Sequence, residues 1–453
     1  MRSPLRSCPR GPLAAVLAGS LLFTAAACDS GERSAGGSSP EQQDSSPAPD
    51  FTLSYDIPER WDPDSVAMVL ESSMIGGGVD ASGAVVADAL YVGEGLNQVK
   101  RSTADGTELL DVEPLKQNAA QQDYRIDTFT RQGTDYVALW RKGVPESNDS
   151  RRLGDETSSD ARVFLSVWDA DGSPVFDGPL EGVDEIARIH AGLVEYRGDT
   201  LDPLTGEPVD DGDQGDDDGD SPTVVGYGSD ASEPLTKTLV PTSDEIGSMI
   251  GLKDSRYGTD TWTQDDLPGS GSSGRAEFDT LIGDYAVFSV TGGKPANEST
   301  GSGSTRETVA VDISDGTVVA RTEDDCSAGF VSDDDKRLAV SPDGRVVTYA
   351  QYLIDAGNGI LSCQQSRRGN FEPRIVLDDG TVYGYGERGS GDDATQVAAS
   401  MKIGDEEALM EQGTLPIHVD DQGRGWFADS VNHSRGTDTV VAVVEPAEGG
   451  SRS

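Results

Sequence analysis

The sequence predicts an all-β protein, built as a propeller of about seven four-stranded blades. Strand-like segments recur along the chain, each rich in β-branched or aromatic residues and bounded by Gly, Asp or Pro, and residues 84–93 and 345–354 are each predicted to form one such strand. Glycine-containing turns separate many of these segments at a spacing of about 40 residues, which is typical of propeller blades. Helix-period patterns are nearly absent, and we expect only a short helical segment, from Asp405 to Gln412.

The N-terminus has the features of an export signal. Three arginines precede an apolar run over residues 12–27, which is shorter than the ~20 residues that a membrane span needs. The run ends in Ala25-Ala26-Ala27-Cys28, which resembles the lipobox of bacterial lipoproteins, although the usual box has leucine where Ala25 stands. The resemblance implies a signal peptide over residues 1–27 and a lipid on Cys28, the mature N-terminus. A plain secretory signal with an incidental cysteine is the alternative.

The segment that follows, residues 28–50, is rich in Ser, Gly and Pro and contains no large hydrophobic side chain. It cannot bury enough apolar surface to offset its ordering entropy, so we expect a flexible tether. A lipid, a tether and a folded body over residues 51–446 indicate a protein on the outer face of the cytoplasmic membrane. The lipid would be its only membrane contact, and residues 447–453 are expected to form a disordered tail.

The formal net charge is -46. Charge of this sign and size argues against nucleic acid or anionic lipid as partners and favours the attraction of cations.

Two sets of turns organise the predicted body. In the first set an apolar strand is followed by an acidic or polar turn ending in Gly and by a second apolar strand, at 102–110, 167–176, 201–209 and 311–320. In the second set the same kind of Gly-ended turn follows a shorter preceding segment, at 341–349, 377–385 and 420–428. Tight hairpins need a residue with positive φ, and we assign that role to the glycines at 106, 172, 206, 316, 344, 380 and 423.

Both sets resemble known propeller repeats. Leu201-Asp202-Pro203-Leu204-Thr205-Gly206-Glu207-Pro208-Val209 is similar to the repeat of PQQ-like propellers, and the Ser-Pro-Asp-Gly turn at 341–344 is similar to those of WD40-like and TolB-type propellers. The resemblance implies the scaffold and not the cofactor, because the five tryptophans show no regular spacing. A pair of β-sandwich domains, which also need many hairpins, is the alternative fold. In a closed ring, we expect the first and last strand-like segments, 51–57 and 439–446, to share a blade or to lie in adjacent blades.

One tract has the density of carboxylates that a metal requires. Asp216, Asp218 and Asp220 alternate within an acidic loop over residues 209–222, and hard oxygen ligands at such positions suit calcium. The tract does not fit the EF-hand pattern, however, and a solvated, self-repelling loop is the alternative. We expect no other cofactor. The three histidines, His190, His418 and His433, are widely separated and show no metal-binding spacing.

The body contains two cysteines, Cys326 and Cys363, since Cys8 leaves with the signal and Cys28 takes the lipid. An even pair in an oxidising compartment predicts a disulfide with a structural role. Two buried, reduced thiols are the alternative.

Two functions fit these observations. The first is a monomeric, non-enzymatic binding or scaffold protein whose partner is an envelope protein or a cell-wall component. The second is a hydrolase or lyase with a site on the propeller axis, calcium-dependent in one version. His190 or His418 converging with carboxylates in a pocket would favour the enzyme.

Overall fold

The computed structural model describes most of the chain beyond residue 50. The described residues are 51–72, 83–93, 96–116, 124–145, 161–197, 199–209, 223–229, 233–241, 246–254, 259–267, 275–292, 305–323, 326, 338–363, 371–388, 395–405, 408–411, 413–433 and 436–447. All of them belong to the unit Gln43–Ser453. The signal peptide, Cys28, the tether, residues 210–222 of the acidic loop and the tail beyond Ala447 lie outside this set.

The described chain is all-β, as predicted. It contains one 3-10 turn, Gln264–Asp266, and its 31 strands form seven hydrogen-bonded sheets, most of them with four strands. No helix in this part of the chain is long and apolar enough to cross a membrane.

Within the sheets, each strand pairs antiparallel with its neighbour, apart from the single parallel contact described below. Sheet 1 comprises β2 (Gly83–Val86), β3 (Ala89–Gly93), β4 (Gln98–Thr103) and β5 (Gly106–Asp111). Sheet 2 comprises β6 (Tyr124–Arg131), β7 (Thr134–Gly143), β8 (Arg162–Asp169) and β9 (Pro174–Pro179). Sheet 3 comprises β10 (Arg188–His190), β11 (Leu193–Tyr196) and β12 (Asp199–Leu201), and its edge is extended by an isolated bridge between Leu201 and Pro208. Sheet 4 comprises β13 (Thr223–Gly226), β14 (Leu235–Pro241), β15 (Ile246–Asp254) and β16 (Thr259–Thr263).

Sheet 5 has eight strands in two antiparallel halves. Half 5a comprises β17 (Arg275–Ile282), β18 (Tyr285–Gly292), β19 (Thr305–Asp312) and β20 (Val318–Thr322). Half 5b comprises β21 (Leu338–Val340), β22 (Val346–Tyr349), β23 (Tyr352–Asp355) and β24 (Ile360–Cys363). Strands β20 and β24 join the halves through one parallel residue pair, Arg321 with Ile360.

Two further sheets complete the described fold. Sheet 6 comprises β25 (Glu372–Val376), β26 (Thr381–Arg388), β27 (Thr395–Lys402) and β28 (Leu409–Met410). Sheet 7 comprises β29 (His418–Val419), β30 (Gly425–His433), β31 (Gly436–Pro446) and, from the start of the body, β1 (Trp61–Ser72).

The first and last strands of the described chain therefore lie in one sheet. Strand β1 pairs antiparallel with β31, in a register that runs from Val66 opposite Val444 to Ser72 opposite Thr439. This confirms that the terminal strands share a sheet, but residues 51–57 do not supply the strand. These residues form no strand, but they contact β30 of sheet 7, where the Tyr55 hydroxyl donates to the Ala428 carbonyl.

Buried hydrophobic clusters lie between sheets that are neighbours along the chain. They join sheets 1 and 2, 2 and 3, 4 and 5a, 5a and 5b, 5b and 6, and 6 and 7. A further cluster joins sheet 7 back to sheet 1, where Trp426 and Val441 pack with Leu90 and Val92. Sheets 3 and 4 meet through the Tyr227 amide, which donates to the Ala191 carbonyl at 2.8 Å.

Three sequence expectations need correction. Residues 84–93 and 345–354, each read as one strand, both contain a hairpin, because Ala87 (φ 49°) and Ala350 (φ 52°) adopt the left-handed conformation that turns the chain. The helix expected from Asp405 to Gln412 is wrong. Leu409 and Met410 instead pair with Ser400 and Ala399 as edge strand β28.

The predictions for the turns and the cysteines are confirmed. All seven assigned glycines have positive φ, between 71° at Gly206 and 136° at Gly106. Cys326 and Cys363 are paired, with their Cα atoms 5.3 Å apart, and both are buried in the cluster between halves 5a and 5b.

Candidate functional site

A polar cleft of about 290 Å³ lies where sheets 3, 4 and both halves of sheet 5 meet. Sheet 3 contributes His190 and Glu195, and sheet 4 contributes Val225. Half 5a contributes residues 278–281 of β17, and half 5b contributes residues 349–352 of the β22–β23 hairpin. Segments distant in sequence therefore meet at one cavity, as is common for ligand sites.

Two hairpins present their rings to each other in this cleft. His190 ends β10 and Tyr349 ends β22, and each is followed by an alanine with positive φ, Ala191 (48°) and Ala350 (52°). The His190 and Tyr349 rings stack with centroids 4.7 Å apart and planes 24° from parallel. Left-handed alanine costs about 1 kcal/mol relative to its ordinary conformation, and residues held in this way concentrate at functional sites.

A β-bulge brings consecutive side chains of β17 to the cleft. The register with β18 shifts between Phe278, which pairs with Phe288, and Thr280, which pairs with Val287, so that Asp279 has no opposite residue. In a regular strand alternate side chains face opposite sides, but here residues 278–281 all line the cavity. The bulge thus supplies a ring, a carboxylate and a hydroxyl from one short segment.

Hydrogen bonds order the polar groups of the cleft. The Thr280 hydroxyl lies 3.3 Å from His190 Nε2, and the Ser289 hydroxyl donates to Asp279 Oδ2 at 2.7 Å. Gln351 Nε2 donates to the Cys326 carbonyl at 3.3 Å, which ties the cleft wall to the disulfide. Two carboxylates, two tyrosines and an imidazole thus surround the cavity, and the described residues of its lining include no lysine or arginine. This arrangement can bind a small polar or charged group.

The other sequence candidates lie elsewhere. His418 is on β29, where its ring meets Trp426 edge-on with centroids 5.9 Å apart. Burial lowers the pKa of His418 to about 4, although the carboxylates of Asp420 and Asp88 act in the opposite direction. His433 is the last residue of β30.

The predicted calcium ligands Asp216, Asp218 and Asp220 lie outside the described residues. Within the described ranges, no group of three or more His, Cys, Asp or Glu side chains is placed to hold a metal ion.

Of the cleft residues, sequence reasoning singled out only His190. Asp279 and Glu195 lie in strands without a motif, and nothing in the sequence marks the bulge at Asp279. Tyr349 and Gln351 lie within residues 345–354, which the sequence predicts as a single strand with no turn. The Tyr-Ala-Gln-Tyr sequence at 349–352 contains no glycine, so the usual hairpin signal was absent.

No protein-family model matches the sequence, and no curated protein matches it. Among solved structures, the chain is similar to the crystal structure of a eukaryotic initiation factor, with 11% identity over 76% of this chain and 96% of that one and a TM-score of 0.29. It is also similar to a structure from a study of two prolyl endopeptidases, with 11% identity over 82% of this chain and a TM-score of 0.30. The chain spans 53% of the length of that enzyme structure. Similarities at this level do not bear on function.

Proposed function

We propose that this chain is a lipid-anchored β-propeller that binds an envelope protein or a cell-wall component on the outer face of the cytoplasmic membrane. The observation that carries the binding role is the polar cleft, assembled from sheets 3, 4 and 5 around His190 and Tyr349. Rigid sheets that hold side chains from several strands at one cavity are the usual basis of recognition.

Three features support a propeller rather than two sandwiches. Dividing the eight-stranded sheet at its single parallel pair leaves eight units of similar size, one more than the seven glycine turns indicate. Each unit packs against the next along the chain, and the cluster containing Trp426 and Leu90 joins the last to the first. The β1–β31 pairing places both ends of the chain in one unit, which leaves no unit without a neighbour.

The anchor is supported by the Ala-Ala-Ala-Cys sequence and the polar segment that follows it. Intact-mass measurement of protein from its native host should give a chain that begins at Cys28 and carries acyl groups. The Cys28→Ala variant should be released from membranes. A native N-terminus elsewhere, or unchanged membrane association of the variant, contradicts the anchor.

Binding at the cleft is tested by titrating the purified mature protein with cell-wall fragments and with solubilised envelope proteins from the native host. We expect Tyr349→Ala to weaken binding at least about tenfold, because it removes one ring of the His190 stack. The control is Leu109→Ala, which shortens an exposed side chain on edge strand β5. Equal binding by wild type and Tyr349→Ala, or equal loss in both variants, contradicts the proposal.

A second candidate function is hydrolysis or elimination at the same cleft. It is favoured by the contact between the Thr280 hydroxyl and His190 Nε2, with the carboxylates of Glu195 and Asp279 in the same lining. An imidazole beside a hydroxyl can serve as its general base. Turnover of ester, peptide or glycoside substrates that is lost in both His190→Ala and Thr280→Val would establish the enzyme. Turnover that survives both substitutions would exclude this site.

A further inference from the structure

The cleft combines aromatic rings with negative charge. Phe278, Tyr349 and Tyr352 line it together with Glu195 and Asp279. Aromatic faces attract cations through their quadrupole, and carboxylates attract them directly. Among the residues that the structure describes, no lysine or arginine lines the cleft to oppose such a ligand.

A guanidinium already lies over a tyrosine ring close to this cleft. Arg131 Cζ is 3.7 Å from the centroid of Tyr227, and the Tyr227 amide bonds the Ala191 carbonyl, next to His190. The Arg131 head group is also held by Asp202 Oδ1, at 2.7 Å. An aromatic face and a carboxylate thus hold a cationic head group within the chain itself, which is the combination that the cleft offers to a ligand.

The net charge of the whole chain also favours a cationic ligand. A formal net charge of -46 draws cationic ligands toward the protein and repels anionic ones. This field speeds encounter, while the cleft provides the contacts that select one ligand geometry.

We propose that the ligand of this cleft presents a cationic group, a guanidinium or an alkylammonium, which the rings of Tyr349 and Phe278 and the carboxylates of Asp279 and Glu195 hold. This inference rests on the proposed function, since it names the ligand class of the same site. The cation can come from a basic side chain of an envelope protein or from an amine of the cell wall.

The test uses two blocked tripeptides, Gly-Arg-Gly and its citrulline counterpart, which has nearly the same shape without the charge. We expect the purified mature protein to bind the arginine peptide about tenfold more tightly, measured by isothermal titration calorimetry. Cell-wall fragments, titrated before and after N-acetylation of their amines, form the second arm. A preference for the arginine peptide alone indicates a protein source, and a loss of affinity on acetylation indicates the wall.

Variants locate the effect. Asp279→Asn keeps the shape of the side chain and an acceptor for the Ser289 hydroxyl, and should bring the ratio between the two peptides close to one. Asp105→Asn removes the same charge from the exposed β4–β5 turn and should leave the ratio unchanged. Thermal unfolding of each variant confirms that it remains folded.

The two proposals fail in different ways. Ligands that bind equally with and without their charge, but more weakly to Tyr349→Leu, overturn the cationic ligand and leave the cleft as a binding site. Binding that no cleft variant weakens overturns both proposals. If neither the arginine peptide nor the amine-bearing fragments bind more tightly than their neutral counterparts, the cationic ligand is overturned.

Discussion

The tripeptide Asp-Gly-Thr forms turns in two regions of the molecule, but it joins different strands in each. Asp315-Gly316-Thr317 connects β19 to β20, the third and fourth strands of half 5a, whereas Asp379-Gly380-Thr381 connects β25 to β26, the first and second strands of sheet 6. The two sets of predicted turns differ from each other in the same way. In sheets 1, 2, 3 and half 5a the glycine turn closes the last hairpin, and in half 5b and sheets 6 and 7 it closes the first.

The turn carboxylates also differ in what they contact. In the first region, Asp169 accepts bonds from the Asp171 and Ser173 amides, within its own turn. In the second region the carboxylates of sheet 6 reach other elements of the fold, whereas those of Asp343 and Asp420 accept bonds within their own turns. Asp379 pairs with Arg60, which precedes β1, and the Asp343 amide donates to Asp378 Oδ1 across from half 5b to sheet 6.

Turns of similar sequence therefore have two structural roles in this fold. In sheet 6 the acidic residues of the first hairpin turn, Asp378 and Asp379, join neighbouring units, whereas Asp312 in half 5a fixes the backbone of its own turn. In the first region Asp202 of sheet 3 also joins two units, because its carboxylate holds Arg131 of sheet 2.

The largest effect is expected at the sheet that joins the two regions. Deleting residues 439–446 removes most of β31, which pairs with both β1 and β30 and whose residues 440–444 are buried. We expect loss of the cooperative thermal transition of the whole body, followed by circular dichroism. Adding a peptide of residues 436–446 in trans should restore the transition, and a scrambled peptide should not. Loss of only a small, local part of the signal would contradict a closed ring.

The disulfide links half 5a, in the first region, to half 5b, in the second. Cys326 follows half 5a and Cys363 ends half 5b. The two cysteines are 37 residues apart in sequence. Cross-linking a loop of that length restricts the unfolded chain and should contribute about 3–4 kcal/mol to the free energy of unfolding. Urea unfolding with and without a reductant measures this contribution. In the double variant Cys326→Ser, Cys363→Ser the reductant should have no further effect. Two free thiols in native protein would contradict the prediction.

Removing one turn carboxylate from each region compares a buried carboxylate, Asp420, with a partly exposed one, Asp312. Asp420, on the β29–β30 turn, is 4% exposed and accepts bonds from two backbone amides, from Arg424 Nε at 2.7 Å and from Trp426 Nε1 at 3.3 Å. Asp420→Ala leaves several buried donors unpaired and should cost about 3 kcal/mol. Asp312→Ala, on the β19–β20 turn, removes a cap on the Ser314 amide and should cost about 1 kcal/mol. If urea unfolding gave the same loss of unfolding free energy for Asp420→Ala and Asp312→Ala, the expected difference between the two carboxylates would be wrong.

A pH-dependent contribution is expected from His418, beside Asp420 in the second region. Burial holds its pKa at about 4 in the folded state, below the ordinary value of 6.5. Between these two values the unfolded chain binds a proton that the folded chain does not, so stability falls as the pH is lowered. The pKa of about 4 already includes the opposing effect of the Asp420, Asp88 and Asp135 carboxylates, so the loss between pH 7 and pH 4 should be about 3 kcal/mol.

His418→Gln should lose that much less stability over the same pH range, as measured by urea unfolding at a series of pH values. Parallel pH curves for the variant and the wild type would show that the imidazole stays neutral in both states or charged in both.

The sequence predicted the elements that depend on local chemistry. The all-β class, the seven positive-φ glycines and the cysteine pair follow from residue types that have few alternatives. The number of units could not be obtained in this way, because sheet 4 lies within the 110-residue interval between Gly206 and Gly316, where none of the assigned glycines falls. The cleft depends on the bulge at Asp279 and on a hairpin turned by Ala350, and both arise from packing between distant segments.

The smallest effect compares the Asp-Gly-Thr turns at 315–317 and 379–381. Burial alone would raise the pKa of Asp379, but hydrogen bonds from Thr381 and the charges of Arg60 and Lys402 lower it to about 2. A carboxylate whose folded pKa is depressed stabilises the fold above its unfolded value of 3.8, and this contribution is lost as the pH falls toward 2. Asp379→Asn should therefore cost about 1–2 kcal/mol at pH 7, a figure reduced for partial solvent screening.

The difference from wild type should shrink as the pH falls below 3.8 and disappear only below pH 2, because the wild-type carboxylate is half protonated at its folded pKa of about 2. The matched control is Asp315→Asn, whose carboxylate accepts the equivalent bond from the Thr317 amide at 2.8 Å on an exposed turn. Because Asp315 lies in the region where turn carboxylates chiefly fix their own backbone, its substitution should cost less than about 0.5 kcal/mol at pH 7. Equal costs for Asp315→Asn and Asp379→Asn in urea unfolding would show that the position of the turn in its sheet does not decide its contribution.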